Sequence, residues 1–172
     1  MPHALFATPF GTCGIAWNEA GLTGFQLPEA TEALTERSLA ARGGRHRGEP
    51  PEWVRGVISR VQLHLGGEPQ DFSGVPLDRS CASDFQMAVY IQAQAVRPGF
   101  KRSYGEIARQ LDLGSEASRA VGVALASNPW PLIVPCHRVV SADDKMTGFS
   151  APGGVRTKTR LLALEGAELL SE

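Results

Sequence analysis

The chain has 172 residues, of which 42% are hydrophobic and 20% charged, and its formal net charge at pH 7 is -1. This composition is typical of a folded globular protein and excludes disordered, collagen-like and coiled-coil chains. No apolar stretch approaches the roughly 18 residues that a membrane span requires. The beginning of the sequence lacks a basic leader followed by an apolar run, and the three cysteines are too few and too dispersed for a disulfide framework. We therefore expect a cytoplasmic protein with reduced thiols and no membrane partner.

The beginning of the chain predicts a small antiparallel sheet. Three short segments, at residues 3–8, 12–17 and 22–27, are rich in apolar or β-branched residues. Turn residues such as Pro9 and Gly21 separate them, which is typical of an antiparallel meander.

Two helices are predicted after these strands. The first covers residues 29 to about 42, with a thin apolar side, and a polar loop follows over 43–51. The second carries apolar residues at i, i+3, i+4 spacing and ends at Gly66 and Gly67. Residues 68–83 are rich in Pro, Asp, Ser and Gly and predict a linker.

The second half of the chain predicts mostly helices, beginning with one over 84–96. The candidate packing positions of that helix are Phe85, Ala88, Val89, Ile91 and Gln92. Residues 103–106 then match a capping box that opens a short helix ending near Leu111. A turn over 112–114 leads to a helix that Ser115 caps and that ends near Ser127. A short helix, a turn containing Gly and a second helix form the pattern of a helix-turn-helix.

These elements predict an α+β protein of two domains. Residues 1–80 would form an N-terminal α/β domain with a small antiparallel sheet. Residues 84–172 would form a mostly helical C-terminal domain containing the helix-turn-helix.

The second helix of this motif has an unusual composition for one that reads bases. Apart from Glu116, its one long polar side chain is Arg119, whereas Ser118, Gly122 and Ala126 form an i+4 row of small residues. Such a row lets a backbone approach a partner closely but provides little base readout, so DNA binding with weak sequence preference is one interpretation. Packing against a neighbouring helix is the other.

The distribution of charge favours an anionic partner for the second half. Residues 96–160 contain ten Lys and Arg but five Asp and Glu, which is a local charge of +5, and the rest of the chain therefore carries -6. An anionic partner requires such an asymmetry, which the near-neutral total conceals.

The segment around Cys136 predicts a reactive thiol. Residues 132–134 resemble a buried strand, and Cys136, His137 and Arg138 follow them. A neighbouring imidazole and a positive charge favour the thiolate, which is the nucleophilic form of cysteine. Alternatives are a small buried hydrophobe, a metal ligand, for which no second Cys or His lies nearby, and a cysteine protease, which needs a distant His.

Five motifs in order over residues 84–166 resemble the O6-alkylguanine-DNA alkyltransferases, also called methylated-DNA–protein-cysteine methyltransferases. The motifs are Ser103-Tyr104-Gly105-Glu106-Ile107-Ala108, Arg119-Ala120-Val121-Gly122, Asn128-Pro129, Pro135-Cys136-His137-Arg138-Val139-Val140 and Leu161-Leu162-Ala163-Leu164-Glu165-Gly166. The N-terminal half matches this family loosely, through residues 8–11 and its strand-rich beginning.

The resemblance implies repair of double-stranded DNA by direct reversal of damage. The helix-turn-helix would bind the minor groove and rotate an O6-alkylguanine, or an O4-alkylthymine, out of the duplex. The alkyl group would then pass irreversibly to Cys136 in a single-turnover reaction of a monomer that needs neither cofactor nor metal.

The resemblance also implies a role for individual residues. The catalytic group would be Cys136 as alkyl acceptor, His137 as base through a water, Glu165 to orient His137, and Asn128 to brace the turn before the active site. The DNA-binding group would be Tyr104, Arg119, Ser118, Ala120 and Gly122, with Arg119 filling the space that the flipped base leaves. The substrate pocket would include Pro131, Val139 and Ser150.

The sequence departs from the family pattern in two places. Ala151 and Pro152 stand between Ser150 and the glycine pair of the binding loop, and Cys13, His3 and His64 do not reproduce the zinc site of some relatives.

Three other functions are weighed against this one. An alkyltransferase-like protein would flag lesions without repairing them, but such proteins lack the cysteine. A helix-turn-helix regulator has no need of the segment around Cys136, and a thiol hydrolase would require an oxyanion-hole motif.

Overall fold

The computed structural model describes residues 1–141 and 154–167. Within them the chain divides into two compact units. The first comprises residues 1–81 and 129–133, and the second comprises residues 82–128 and the chain from Val134 onward. No helix among the described residues has the length and apolarity needed to cross a bilayer.

The first unit contains a four-stranded sheet in the order β3-β2-β1-β4. Its strands are β1 (Pro2–Thr8), β2 (Gly11–Trp17), β3 (Leu22–Gln26) and β4 (His46–Arg47). The predicted meander is present, because β1 pairs antiparallel with β2 and β2 with β3. The short strand β4 was predicted as loop, but it pairs parallel with β1. Both side chains of β4 are exposed, so the strand has no apolar pattern by which the sequence could reveal it.

The helices of the first unit are α1 (Glu32–Ala41) and α2 (Glu52–Leu65). Helix α1 begins three residues later than predicted, because the side chain of Thr31 accepts a hydrogen bond from the backbone N–H of Leu34 and caps the helix. A carboxylate of α1, Glu36, receives two hydrogen bonds from Arg47 of β4 and bonds His3 of β1. The hydrogen bonds from Arg47, and then that of His3, lower the pKa of Glu36 to about 2.

Residues 129–133 pack with the first unit, although the sequence analysis placed them in the C-terminal domain. The buried Trp130 donates its indole N–H to the carbonyl of Leu22, and the carbonyl of Pro129 accepts from the backbone N–H of Phe25. The predicted strand over 132–134 is wrong, because Leu132 has a φ of 76° and the chain turns there. Residues 132–134 are apolar because they are buried, and buried residues are apolar in turns as well as in strands.

The second unit is mostly helical. Its helices are α3 (Asp84–Gln94), α4 (Tyr104–Gln110), α5 (Ser118–Ala126) and α6 (Gly154–Leu164), and its two-stranded sheet pairs β5 (Arg102–Ser103) with β6 (Val139–Val140). The packing positions predicted for α3 are partly wrong, because Phe85 and Ile91 are exposed. The buried side chains of α3 are Met87, Val89, Tyr90 and Ala93.

Helices α4 and α5 form the predicted helix-turn-helix. Ser103 and Glu106 form the capping box in both directions at the start of α4. The turn contains Asp112 with a φ of 60°, a left-handed conformation that short polar side chains tolerate. A 3-10 turn over Ser115–Ala117 precedes α5, so the helix begins at Ser118. The prediction that Ser115 caps this helix is therefore wrong.

Two glycines of the first unit provide a matched test of the fold. Gly21 has a φ of +149°, and a Cβ there would lie 2.6 Å from the backbone carbon of Pro76, whereas a Cβ at Gly56 in α2 would meet nothing within 4 Å. We expect Gly21→Ala to lower the free energy of unfolding by about 2 kcal/mol or more, and Gly56→Ala to raise it by about 1 kcal/mol. Urea unfolding measures both, and an unchanged Gly21→Ala protein would contradict the tight approach of these two loops.

Candidate active site

The reactive-thiol candidate, Cys136, begins a single 3-10 turn over Cys136–Arg138 that leads directly into β6. The backbone N–H of Cys136 donates to the carbonyl of Val134 at 2.8 Å, and β6 pairs parallel with β5. Cys136 is 6% exposed. Paired backbone on both sides therefore fixes the position of its side chain.

His137 points into the unit, where it meets the carboxylate of Glu165. Its Nε2 atom lies 3.0 Å from Oε1 and 2.9 Å from Oε2 of Glu165, and both side chains are completely buried. Glu165 follows the last residue of α6. A buried carboxylate on Nε2 fixes the orientation of the ring.

Arg138 also binds Glu165. Its Nε and Nη2 atoms donate to the two carboxylate oxygens at 2.9 and 2.8 Å, and its Nη1 donates to the carbonyl of Val96 at 2.8 Å. This bidentate ion pair satisfies the buried charge of Glu165, and the planar guanidinium of arginine is the side-chain group with the geometry for it. The charge of Arg138 was predicted to act on the thiol of Cys136. In the structure that charge is balanced locally by Glu165, so its main partner is the carboxylate.

Asn128 and Val139 occupy positions close to this network in the chain. Asn128 is buried and donates from Nδ2 to the carbonyl of Val134 at 2.9 Å, a contact that closes the turn between them. The carbonyl of Val139 accepts a hydrogen bond at 2.9 Å from Nζ of Lys158 in α6.

Tyr104 stands between α5 and α6. A Cβ on Gly122 of α5 would lie 3.9 Å from Cε1 of Tyr104, and Nζ of Lys158 lies 5.9 Å from the centre of the tyrosine ring. The side chain of Ser118 is close to Gly105 on the same side, since a Cβ there would be 3.5 Å from its Oγ. The small residues of α5 therefore allow α4 to pack closely against it.

The outward side of α5 is apolar except for Arg119. Arg119 and Ala120 are exposed, and Val123 is 63% exposed. These residues line a groove of about 600 Å³ between α5 and the start of α3. The lining is completed by Ser83, Phe85, Gln86, Glu116 and Ala124.

Two further residues, Ser150 and Pro131, were predicted for the substrate pocket. Ser150 lies outside the described residues. Pro131 is buried in the segment 129–133, which belongs to the first unit. Their roles stay predictions.

The other thiols differ from Cys136 in their surroundings. Burial raises the pKa of Cys13 to about 12, and it raises the pKa of the exposed Cys81 with a further contribution from Asp78. Neither environment favours a thiolate. Within residues 1–141 and 154–167, no three His, Cys, Asp or Glu side chains are grouped in a way that could hold a metal ion.

Sequence reasoning missed Lys158, which is 1% exposed. The signal was present in the spacing, because Lys158, Leu161, Leu162 and Glu165 recur at i, i+3, i+4 and i+7 on one side of α6, and all four are buried. Two charged residues on the buried side of a helix indicate a polar site within the core.

Comparison with known proteins shows what this arrangement resembles. Residues 84–167 match the family described as 6-O-methylguanine DNA methyltransferase, DNA binding domain. A methylated-DNA–protein-cysteine methyltransferase of Mycobacterium leprae is 39% identical over 95% of this chain and 92% of its own length. A DNA base-flipping protein of Thermus thermophilus is 37% identical, over 72% of this chain and 88% of its own. The crystal structure of Mycobacterium tuberculosis OGT in complex with DNA has a TM-score of 0.77 and 32% identity, and the match covers 96% of this chain and 93% of that one. The predicted α+β fold class is thereby confirmed.

The pair of Arg138 and Glu165 predicts a large effect of one substitution. Arg138→Met removes two hydrogen bonds and the balancing charge from the buried carboxylate of Glu165, so we expect a loss of about 3–5 kcal/mol in the free energy of unfolding. Arg109→Met, at an exposed arginine of α4, is the control and should change stability by less than about 0.5 kcal/mol. Similar losses for the two variants in urea unfolding would show that the buried pair contributes little.

Proposed function

The chain belongs to the family of methylated-DNA–protein-cysteine methyltransferases, and from this premise we propose that it repairs O6-alkylguanine in duplex DNA by irreversible transfer of the alkyl group to Cys136. The observation that carries the proposal is the buried contact of His137 with Glu165 directly beside Cys136. In this arrangement Cys136 is the nucleophile, His137 the base and Glu165 the group that orients the base.

In the proposed reaction the thiol of Cys136 loses its proton to Nδ1 of His137 through a water, and the negatively charged Glu165 stabilises the imidazolium that results. The sulfur then forms a bond to the alkyl carbon as the bond from that carbon to O6 of guanine breaks. The leaving guanine takes up a proton, so the sum is thiol plus alkylguanine to thioether plus guanine. Atoms and charges balance without a further reactant.

The product explains why each molecule would act once. A thioether is a stable, uncharged group, and the proposed reaction contains no step that returns it to the thiol. We therefore propose a stoichiometric reaction in which the amount of DNA repaired equals the amount of protein.

Lesion access would come from the helix-turn-helix. The small, exposed Ala120 would allow close approach of α5 to the minor groove, with Ser118 and Gly122 at the margin of this surface beside α4. The exposed Arg119 would fill the space left by the flipped nucleotide. Tyr104, between α5 and Lys158, is suited to contact the flipped base. Because Arg119 is the one long polar side chain that α5 offers to bases, binding should depend weakly on sequence.

The carbonyl groups of Cys136 and Val139 are proposed to accept from the amino group of the bound guanine. Ser150 would stabilise the leaving oxygen, as the chemistry of an O6 leaving group requires a donor there. Pro131 would contribute apolar lining to the same pocket. Asn128 would support them by holding the turn to Val134.

A second candidate function is lesion binding without repair, which the similarity to the Thermus thermophilus base-flipping protein favours. In that case the protein would bind O6-methylguanine duplexes and leave the methyl group on the DNA. Cys136 argues for transfer, because binding needs no thiol.

Active-site titration separates the two functions. Incubation with an excess of O6-methylguanine duplex should add one methyl group to the tryptic peptide of residues 120–138, as read by mass spectrometry, and then stop. Cys136→Ala should abolish transfer completely, whereas Cys81→Ala, at an exposed thiol, should retain full transfer. Removal of the lesion by the Cys136→Ala protein would contradict the proposal, and tight binding by wild type without methylation would indicate the second function.

A test of base flipping uses Arg119. Because unstacking a base costs a few kcal/mol, Arg119→Ala should slow methyl transfer from duplex DNA by about tenfold or more. Transfer from a single-stranded oligonucleotide with the same lesion should change little. Arg109→Ala is the control for loss of a positive charge on α4, and equal slowing on both substrates would argue against a role for Arg119 in extrusion.

A further inference from the structure

The hydroxyl of Tyr90 is a buried polar group to which the proposed mechanism assigns no role. Tyr90 lies on α3 and is completely buried, and a hydroxyl removed from water requires a hydrogen-bond partner. The hydroxyl donates to the carbonyl of Ala124 in α5 at 2.7 Å. A buried polar contact therefore joins α3 to the helix that is proposed to enter the minor groove.

Helix α5 depends on contacts of this kind because little in its own sequence fixes it. It has nine residues, Ala117 at its N-cap provides no side-chain hydrogen bond, and Gly122 lies in its interior. A helix of this length is marginal in isolation, and an internal glycine weakens it further. The position and direction of α5 must therefore come from the elements packed against it.

The Tyr90 hydroxyl acts on the last turn of α5, where a helix has carbonyl groups without intrahelical partners. The carbonyl of Ala124 belongs to that turn. Asn128 follows shortly after and donates to the carbonyl of Val134, which also accepts from the backbone N–H of Cys136. Tyr90 thus fixes the point at which α5 ends and the path to the thiol turn begins.

The other half of α5 borders an open groove instead of a packed side of α3. Arg119, Ala120 and Val123 line this groove of about 600 Å³, which lies between α5 and the start of α3. Arg119 is five residues before Ala124, which is about 7.5 Å along the helix axis. A tilt of about 10° around the last turn would therefore move the backbone of Arg119 by about 1.3 Å. Displacements of this size can slow a reaction severely.

We propose that Tyr90 is a positioning residue, whose hydroxyl fixes the direction of α5 and thereby the depth at which Arg119 and Ala120 enter duplex DNA. The inference rests on the proposed function of α5 in DNA binding and base flipping. Tyr90 itself is buried in the core of its unit, so it acts through the helix. Its effect should be large on duplex DNA, where a base must be extruded, and small on a single strand.

The test compares methyl transfer from a duplex and from a single-stranded oligonucleotide that carry the same O6-methylguanine. Tyr90→Phe removes the hydroxyl and keeps the ring in the core. Thr31→Ala is the matched control, because it removes the hydrogen bond that caps α1 and should lower stability by a similar amount without a change near α5. Urea unfolding of the two variants establishes that both are folded and comparably destabilised.

We expect Tyr90→Phe to slow transfer from the duplex by about fivefold or more, since one hydrogen bond contributes a factor of this order, and to change transfer from the single strand by less than about twofold. Thr31→Ala should leave the ratio of the two rates unchanged. Adding Tyr90→Phe to Arg119→Ala should slow duplex transfer little further, because both substitutions disturb the same step.

An unchanged ratio of duplex to single-strand rates in Tyr90→Phe would overturn the inference, and so would a double variant as slow as the product of the two single effects. DNA binding separates this failure from failure of the proposed function. In a Cys136→Ala background, Tyr90→Phe should weaken binding of a fluorescein-labelled O6-methylguanine duplex about fivefold, as read by anisotropy. Wild-type protein that accepts no methyl group from either DNA would refute the proposed transfer, and the binding measurement would still decide the role of Tyr90.

Discussion

The buried carboxylate of Glu165 is the constraint on which the thiol turn depends, because it binds two consecutive side chains of that 3-10 turn. It contacts Nε2 of His137 and accepts hydrogen bonds from Arg138. The Arg138 guanidinium also donates to the carbonyl of Val96. One acidic group at the end of α6 thereby joins that helix to the thiol turn and to the end of α3. The same charge that anchors the fold of the second unit also sets the orientation of the imidazole. The fold of this unit and the orientation of the imidazole therefore depend on the same buried carboxylate.

Much of the fold follows from local patterns in the sequence. The segments rich in apolar or β-branched residues form β1 to β3, and the capping box at Ser103 and Glu106 opens α4 as predicted. The errors occur where tertiary contacts override local preference. Residues 132–134 are apolar because they are buried in a turn, and Phe85 is exposed at a groove although its residue type suggested packing.

The candidate site was predictable in its residues but only partly in its connections. The adjacency of Cys136 and His137 predicts a reactive thiol, and the family resemblance supplies Glu165. The partner of Arg138 was not predictable, because the carboxylate lies 27 residues away in sequence and no local pattern links the two. The basic excess of the second half also overstates its outward charge, since Arg138 and Lys158 are buried. Long-range electrostatic attraction to DNA is accordingly weaker than the residue count suggests.

Residues 129–133 belong to the first unit, and this affects how the protein can be divided. The chain leaves the second unit after Asn128, places Trp130 in the core of the first, and returns at Val134 just before the thiol. A truncated protein beginning near residue 82 would carry this segment without the carbonyl of Leu22 and the apolar surroundings that Trp130 requires. The reactive turn would then follow a solvated, unsupported loop. The core of the first unit therefore includes a peptide that ends immediately before Val134, two residues ahead of Cys136.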